Sequence, residues 1–423
     1  MSLTGPFFLD GIIVLTVVAF LALVLLWPRF TTQSPGHVLG RIGALTLVNA
    51  LVLLTAATQL NATYLFFSSW TDLKGAITGH LVVSSLDRGT DATRAASSPV
   101  RGRAAPVAKN PVPLGQATSS SGLVTYTVHG TLSGLTGRVL VQLPPGYSSS
   151  GSNQRYPVLE AFHGYPGEPL DWLKVYRLRQ DVEQLVRAHE LRQPLIVMPQ
   201  IEFPAGVDTE GVDGPPGQPQ VETWLTRDVP DWLGRHFQVE ANRSSWATIG
   251  LSAGGYDAAM AAVLHPAQYS AAIVLAGYYS PQFGRFYVPF NANSTLGERY
   301  DLSRVVAADA PAVALWVQTS HADKVSYRSS AAFLRAARPP MAVHAVILRN
   351  AGHRASVWIA VEPRALLWLG RNVPGFSTKP LVDAGACPSR VISCSGVRRA
   401  GARARSAHAL PHRGGRRPKR GAQ

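Results

Sequence analysis

Cysteine is nearly missing from this 423-residue chain: there are two, Cys387 and Cys394, both close to the C-terminus. The body therefore has no disulfide framework, and no thiolate is available there as a nucleophile or metal ligand. Charge of either sign is absent from two long apolar stretches, residues 11–27 and 42–60. Basic residues are absent from residues 1–10, which instead hold Asp10. That absence argues against a cleaved signal peptide, whose start carries positive charge. Acidic residues are absent from residues 384–423, which hold nine Arg and one Lys.

That last absence accounts for most of the net charge. The whole chain carries +15, and the C-terminal stretch alone carries +10, leaving +5 for the rest. A body so close to ordinary charge balance does not read as a nucleic-acid binder, and no specific nucleic-acid partner is expected. A polyanion-binding role would belong to the tail alone. Residues 376–423 are expected to be a basic disordered tail, since they show no hydrophobic period.

The two uncharged runs are each long enough to cross a bilayer as a helix. They predict a hairpin anchor over residues 1–73, with spans at about 11–27 and 42–60 and Trp27 and Trp70 at the interfaces. The short connection carries Arg29 and Arg41. The positive-inside rule then places that connection in the cytoplasm and both ends outside, so the downstream domain is expected on the extracytoplasmic face of the cell membrane. Lys74, shortly after the second run, argues mildly the other way. Residues 74–122 are rich in Ser, Ala, Pro, Gly and Thr, without helical or strand period, and read as a flexible linker.

From residue 123 to about 375 the pattern changes to short apolar strands alternating with amphipathic helices. Strands are predicted at 123–128, 138–143, 156–162, 195–198, 246–249, 271–276, 312–318 and 341–348. Helices are predicted at 170–191, 221–237, 255–264, 327–336 and 357–370, with Pro230 breaking or kinking the second. The alternation implies a mostly parallel central sheet with helices on both faces, opening with an antiparallel pair. That is the layout of an α/β-hydrolase, here preceded by a transmembrane hairpin.

One motif in that domain carries chemistry. Gly250-Leu-Ser252-Ala-Gly254 stands between a predicted strand and a predicted helix. A nucleophile on so sharp a turn tolerates only small neighbours, and glycine occupies both positions two residues away. A serine hydroxyl needs a base, and the base needs an orienting acid, in the chain order Ser, Asp or Glu, His. His353, in Asn350-Ala-Gly-His353 just past a strand, is the expected base. His265 ends a helix, His344 lies within a strand, His321 lacks companions at metal-ligand spacing, and His408 and His412 fall in the tail. Asp323, just past the strand ending near Gln318, is the expected acid; Glu298, Asp301 and Asp309 are its competitors. Oxyanion donors are expected from the backbone N–H groups of Ala253 and of Tyr165, the latter in His163-Gly-Tyr-Pro-Gly167. No cofactor or metal site is expected. The loops 203–220 and 280–293 are expected to choose the acyl acceptor.

Taken together, Leu143-Pro-Pro-Gly-Tyr147, the His163-Gly164 loop, Ile249-Gly-Leu-Ser-Ala-Gly-Gly-Tyr256 with His265-Pro266, and Gly352-His353 near Trp358 resemble the esterase D-like family of α/β-hydrolases. That family includes S-formylglutathione hydrolases, enterochelin esterases and secreted mycolyltransferases. The resemblance covers residues 123–373 and implies Ser252, Asp323 and His353 as triad, with Ala253 and Tyr165 as oxyanion donors. Some relatives use Glu as the acid, which retains Glu298 as an outsider. The likeness is to membrane-tethered types of high-GC Gram-positive bacteria. The expected activity is a serine esterase acting on a small-molecule or lipid acyl ester. One alternative is an acyltransferase passing the acyl group to a sugar or glycerol hydroxyl. A rival from another class is a non-catalytic cell-surface binding protein on the same fold.

Overall fold

The computed structural model describes residues 3, 5–30, 34–64, 66–67, 69–78, 83–114, 122–148, 154–284 and 287–379. The basic tail expected from residue 376 therefore lies outside the described residues from residue 380 onward. What is described of it belongs to the domain: Phe376 is buried, and its carbonyl accepts from Arg192 N–H at 2.8 Å.

The chain begins with two helices, α1 (Pro6–Leu26) and α2 (Pro35–Tyr64), followed by a short α3 (Trp70–Thr78). Pro6 starts α1 at a position where its missing N–H costs no helical hydrogen bond. Both helices exceed the lengths expected from the apolar runs, and both are long and apolar enough to cross a membrane. No α1 residue is buried, and Leu25 and Leu53 are largely exposed. The two helices touch through a polar pair, Thr16 Oγ1 to Thr55 Oγ1 at 2.8 Å.

A nine-stranded sheet forms the body: β1 (Val83–Gly89), β2 (Leu123–His129), β3 (Thr136–Gln142), β4 (Val158–Phe162), β5 (Leu195–Pro199), β6 (Trp246–Leu251), β7 (Ala271–Leu275), β8 (Ala314–Ser320) and β9 (Ala342–Leu348). Its order is β1-β9-β8-β7-β6-β4-β5-β3-β2. The six strands from β9 to β5 run parallel, while β3, β2 and β1 run antiparallel to their neighbours. Strands β4 to β8 are buried at every position because helices cover both faces, which is why they read as continuous apolar runs rather than alternating ones. This is the α/β-hydrolase sheet.

Three expectations need correction or refinement. The segment read as a flexible linker contains β1, which pairs with β9 from Val83↔Leu348 to Gly89↔Ala342. It continues into a helix at Ala92–Ser97 whose Ala95 and Ala96 are buried. Beyond that, Ala108 and Val112 N–H donate to the carbonyls of Gly234 and Arg235. Its composition misled because backbone pairing needs no apolar period: every residue of β1 is exposed. Second, Pro230, expected to break or kink its helix, does not break it but leaves it distorted. A π-turn at Trp224–Asp228 precedes it, and the Leu225 carbonyl accepts from the Tyr269 hydroxyl at 3.3 Å. Third, the helix expected at 170–191 is two pieces, Asp171–Lys174 and Leu178–Arg187, separated by Arg177 at φ 63°.

Candidate active site

The carboxyl ends of four parallel strands meet at one place, where open α/β sheets hold their sites. Ser252 leaves β6 and immediately opens the helix Ala253–Leu264. Its backbone sits at φ 56°, ψ −121°, a strained conformation for a residue with a side chain. The glycines around it are required by close approach. A Cβ on Gly250 would lie 1.8 Å from the Gly254 carbonyl oxygen, and one on Gly254 would lie 2.2 Å from the carbonyls of Phe162 and His163.

His353 follows β9 and Asp323 follows β8. Ser252 Oγ lies 2.8 Å from His353 Nε2, and His353 Nδ1 lies 2.9 Å from Asp323 Oδ2. Asp323 Oδ1 accepts from the N–H groups of Val325 and Ser326 at 2.9 and 3.2 Å, and Oδ2 accepts from Ser326 Oγ at 2.8 Å. Burial pushes the Asp323 carboxyl up, but the His353 charge, its hydrogen bond and those of Ser326 outweigh this and hold it below the usual carboxylate range. Ser320 ties the two loops together: its Oγ accepts from Ala351 N–H at 3.0 Å and from Ala322 N–H at 3.2 Å.

The fourth strand end supplies the loop after β4. His163 is buried, which lowers it to about 4 and keeps the ring neutral; its Nδ1 donates to the Gly164 carbonyl at 3.0 Å. A trans peptide points its N–H opposite its C=O, so pinning the Gly164 carbonyl also fixes the direction of the Tyr165 N–H. Among the described residues, no hydrogen-bond partner engages the N–H of Tyr165 or of Ala253.

Ser252, His353, Gly164 and Tyr165 line a cavity of about 410 Å³, within the usual range for a small-ligand site. Its walls include Leu251, Tyr176, Trp358, Tyr165 and Phe66. Burial, with Asp171 and Glu362 nearby, pushes the Tyr176 hydroxyl up to about 12, so it stays protonated. Among the described residues, the loops 203–220 and 280–293 contribute nothing to the lining of this cavity; Tyr165 Oη reaches the Gly206 carbonyl at 3.3 Å. The competing acids lie elsewhere. Glu298 sits on the helix Thr295–Tyr300 and pairs with Arg304 at 3.0 Å, while Asp301 caps the helix Leu302–Ala308. Of the other candidate histidines, His265 pairs with Glu222 and His344 with Asp87, each at 2.6 Å. Among the described residues no cluster of His, Cys, Asp and Glu could hold a metal ion.

Sequence reasoning missed Phe66, Tyr176, Arg354 and Asp72. Arg354 directly follows His353, and its Nη1 meets Asp72 Oδ1 at 2.6 Å with both side chains buried. No local signal marks such a pair, because its members are 282 residues apart.

Sheet, elbow and strand-end site together define a serine hydrolase of the α/β-hydrolase class, a carboxylic ester hydrolase or acyltransferase. The chain belongs to the esterase family described as "Putative esterase", whose model matches residues 134–358. It is 28% identical over 147 residues to an uncharacterised protein of Corynebacterium glutamicum, a match spanning 34% of this chain and 33% of that protein. Among solved structures, an S-formylglutathione hydrolase from Agrobacterium tumefaciens superposes with a TM-score of 0.52 at 15% identity, covering 62% of this chain and all of that one, 100%. A ferulic acid esterase superposes with a TM-score of 0.49 at 20% identity, covering 59% of this chain and 97% of that one.

Proposed function

We propose that the protein is a membrane-anchored serine esterase that works through an acyl-enzyme. The observation that carries this is the continuous relay from Ser252 Oγ through His353 to Asp323, at 2.8 and 2.9 Å. Ser252 Oγ attacks the ester carbonyl while His353 Nε2 takes its proton. The Asp323 carboxylate accepts from His353 Nδ1–H and stabilises the imidazolium. Charge develops on the carbonyl oxygen, and the N–H groups of Ala253 and Tyr165 are the donors assigned to it; the first also lies at the positive end of a helix. His353 returns the proton to the leaving alcohol. Water, activated by the same ring, then releases the acid.

Anchoring is supported by α1 and α2, whose apolar side chains face outward and are not covered by the body. The Arg29 and Arg41 flanks favour a cytoplasmic connection and an extracytoplasmic catalytic domain. In domain terms, the reading is an anchor at 1–73, a connecting segment to residue 122 that is partly built into the sheet, and a catalytic domain beyond it.

A second reading, transfer of the acyl group to a sugar or glycerol hydroxyl, is favoured by the apolar walls from Leu251, Phe66 and Trp358, which disfavour water. Hydrolysis of p-nitrophenyl esters with and without trehalose or glycerol separates the two, since transfer predicts an acylated acceptor in the products. The central test is a fluorophosphonate probe. The wild-type chain is expected to label and Ser252→Ala to lose labelling, with turnover falling by about 10⁴-fold or more. Labelling that persists in Ser252→Ala would overturn the assignment.

A further inference from the structure

One residue lining the cavity does not come from the hydrolase body: Phe66, two residues past the end of α2. Three sets of contacts hold that residue against the His353 loop. Asn61, inside α2, grips the backbone of Phe67 from both sides: Nδ2 donates to the carbonyl at 3.0 Å and Oδ1 accepts from the N–H at 2.7 Å. Arg354 donates from Nη1 to the Phe66 carbonyl at 3.1 Å, and its guanidinium lies over the Phe67 ring, 4.9 Å from the centroid. Asp72, in the first turn of α3 and fully buried, accepts from the same Nη1 at 2.6 Å. Gly352 permits the approach, since a Cβ there would lie 2.4 Å from the Phe66 carbonyl oxygen and 2.6 Å from Asp72 Oδ2.

Glycine, base and arginine are consecutive: Gly352, His353, Arg354. The segment leaving the apolar helix therefore touches both neighbours of the proposed base and also shapes the space in front of Ser252. A buried charge pair is costly unless well bonded, and a tether with no further task would not need one. Here the guanidinium is bonded to a carboxylate and a carbonyl and covered by a ring, which makes a rigid joint between α3 and the loop carrying His353.

We propose that Phe66 and Asp72 are part of the active site: Phe66 is the specificity wall for the aliphatic acyl chain of a lipid ester, and the Asp72–Arg354 pair positions His353. This rests on Ser252 and His353 acting as nucleophile and base. An aliphatic chain fits the apolar part of the lining, which includes Leu251, Phe66 and Trp358. A lipid source fits its position, because Phe66 continues directly from the outward-facing apolar helix α2. Asp72 does not line the cavity, and neither side chain bonds Ser252; the pair acts through the backbone that presents the imidazole, although Arg354 also reaches the cavity lining.

The experiment uses the full-length protein in detergent and p-nitrophenyl esters from acetate to laurate. Phe66→Ala is expected to shift kcat/KM toward longer chains relative to acetate by about tenfold, and Phe66→Trp to shift it the other way, the scale of a few methylenes in an apolar pocket. Asp72→Asn is expected to lower kcat on the acetate ester by about tenfold or more with KM nearly unchanged, as small misplacement of a reacting group does, and Asp72→Glu to recover part of it. Asp87→Asn, on an exposed carboxylate paired with His344, serves as the control. Phe66 is 42% exposed, so its variants keep the test open even if Asp72→Asn fails to fold. An unchanged chain-length ratio in both Phe66 variants overturns the specificity wall. A kcat for Asp72→Asn equal to that of Asp87→Asn overturns the positioning role. Either result in a wild-type protein that turns over ester through Ser252 leaves the esterase reading intact, whereas a wild type with no Ser252-dependent turnover sinks that reading first.

Discussion

The α1–α2 hairpin and the nine-stranded body use the same side chains for opposite purposes. Leu53 in α2 is 70% exposed, while Leu366 in the helix Ala355–Asn372 is wholly buried. In the body, apolar groups leave water by packing on each other, so each is shaped by its neighbours. In the hairpin they face outward, and hydrocarbon around them would serve in place of packing. A side chain's value thus depends on what surrounds it, and composition alone does not say which of the two applies. Phe66 and Asp72 stand where the two regimes join, with buried charge on one side and apolar helix on the other.

The comparison can be broken at several points. The largest effect is expected at the relay held by the body. Asp323→Asn leaves the shape but removes the charge behind His353, and kcat should fall by about 10⁴-fold with folding unchanged, read by ester hydrolysis and circular dichroism. A loss below tenfold would mean that another acid serves. Next comes the leucine pair. Leu366→Ala should destabilise the domain by about 2–5 kcal/mol through lost burial and a cavity, whereas Leu53→Ala should stay within about 0.5 kcal/mol. Thermal unfolding of the full chain reads both, and equal effects would show that the hairpin is packed rather than solvated by lipid.

A smaller effect is expected with pH. Glu222 is buried, which pushes it up, but His265 and the bidentate Arg299 at 2.5 and 2.6 Å outweigh this and lower it to about 2. Between the unfolded value near 4.5 and about 2, the unfolded chain binds the proton and the folded one does not. Stability from this group is therefore present above pH 4.5 and lost as pH falls through about 2, with up to about 3 kcal/mol at stake. Glu222→Gln should remove that acid limb while lowering stability at neutral pH. An unchanged slope between those pH values would show that the network is looser than its geometry.

Much of this was legible in the residues because the signals are local. Gly250 and Gly254 announce a turn too tight for side chains, and the chain order of Ser252, Asp323 and His353 follows from strand ends that apolar runs reveal. The errors arose where the signal was not local. Strand β1 is exposed and is held by backbone pairing and by the polar contact of Asp87 with His344, so no apolar period betrayed it. Pro230 distorts its helix without breaking it, and the Tyr269 hydroxyl that meets the Leu225 carbonyl there is remote in sequence.

By itself, then, the order of amino acids determined the alternating sheet, the apolar hairpin, the elbow and the residue types able to act there, since each is written in periods and neighbours of a few residues. The tertiary structure alone decided that Phe66 walls the cavity and that Asp72 meets Arg354. Those contacts join segments nearly three hundred residues apart, and chain folding rather than local propensity sets such distances.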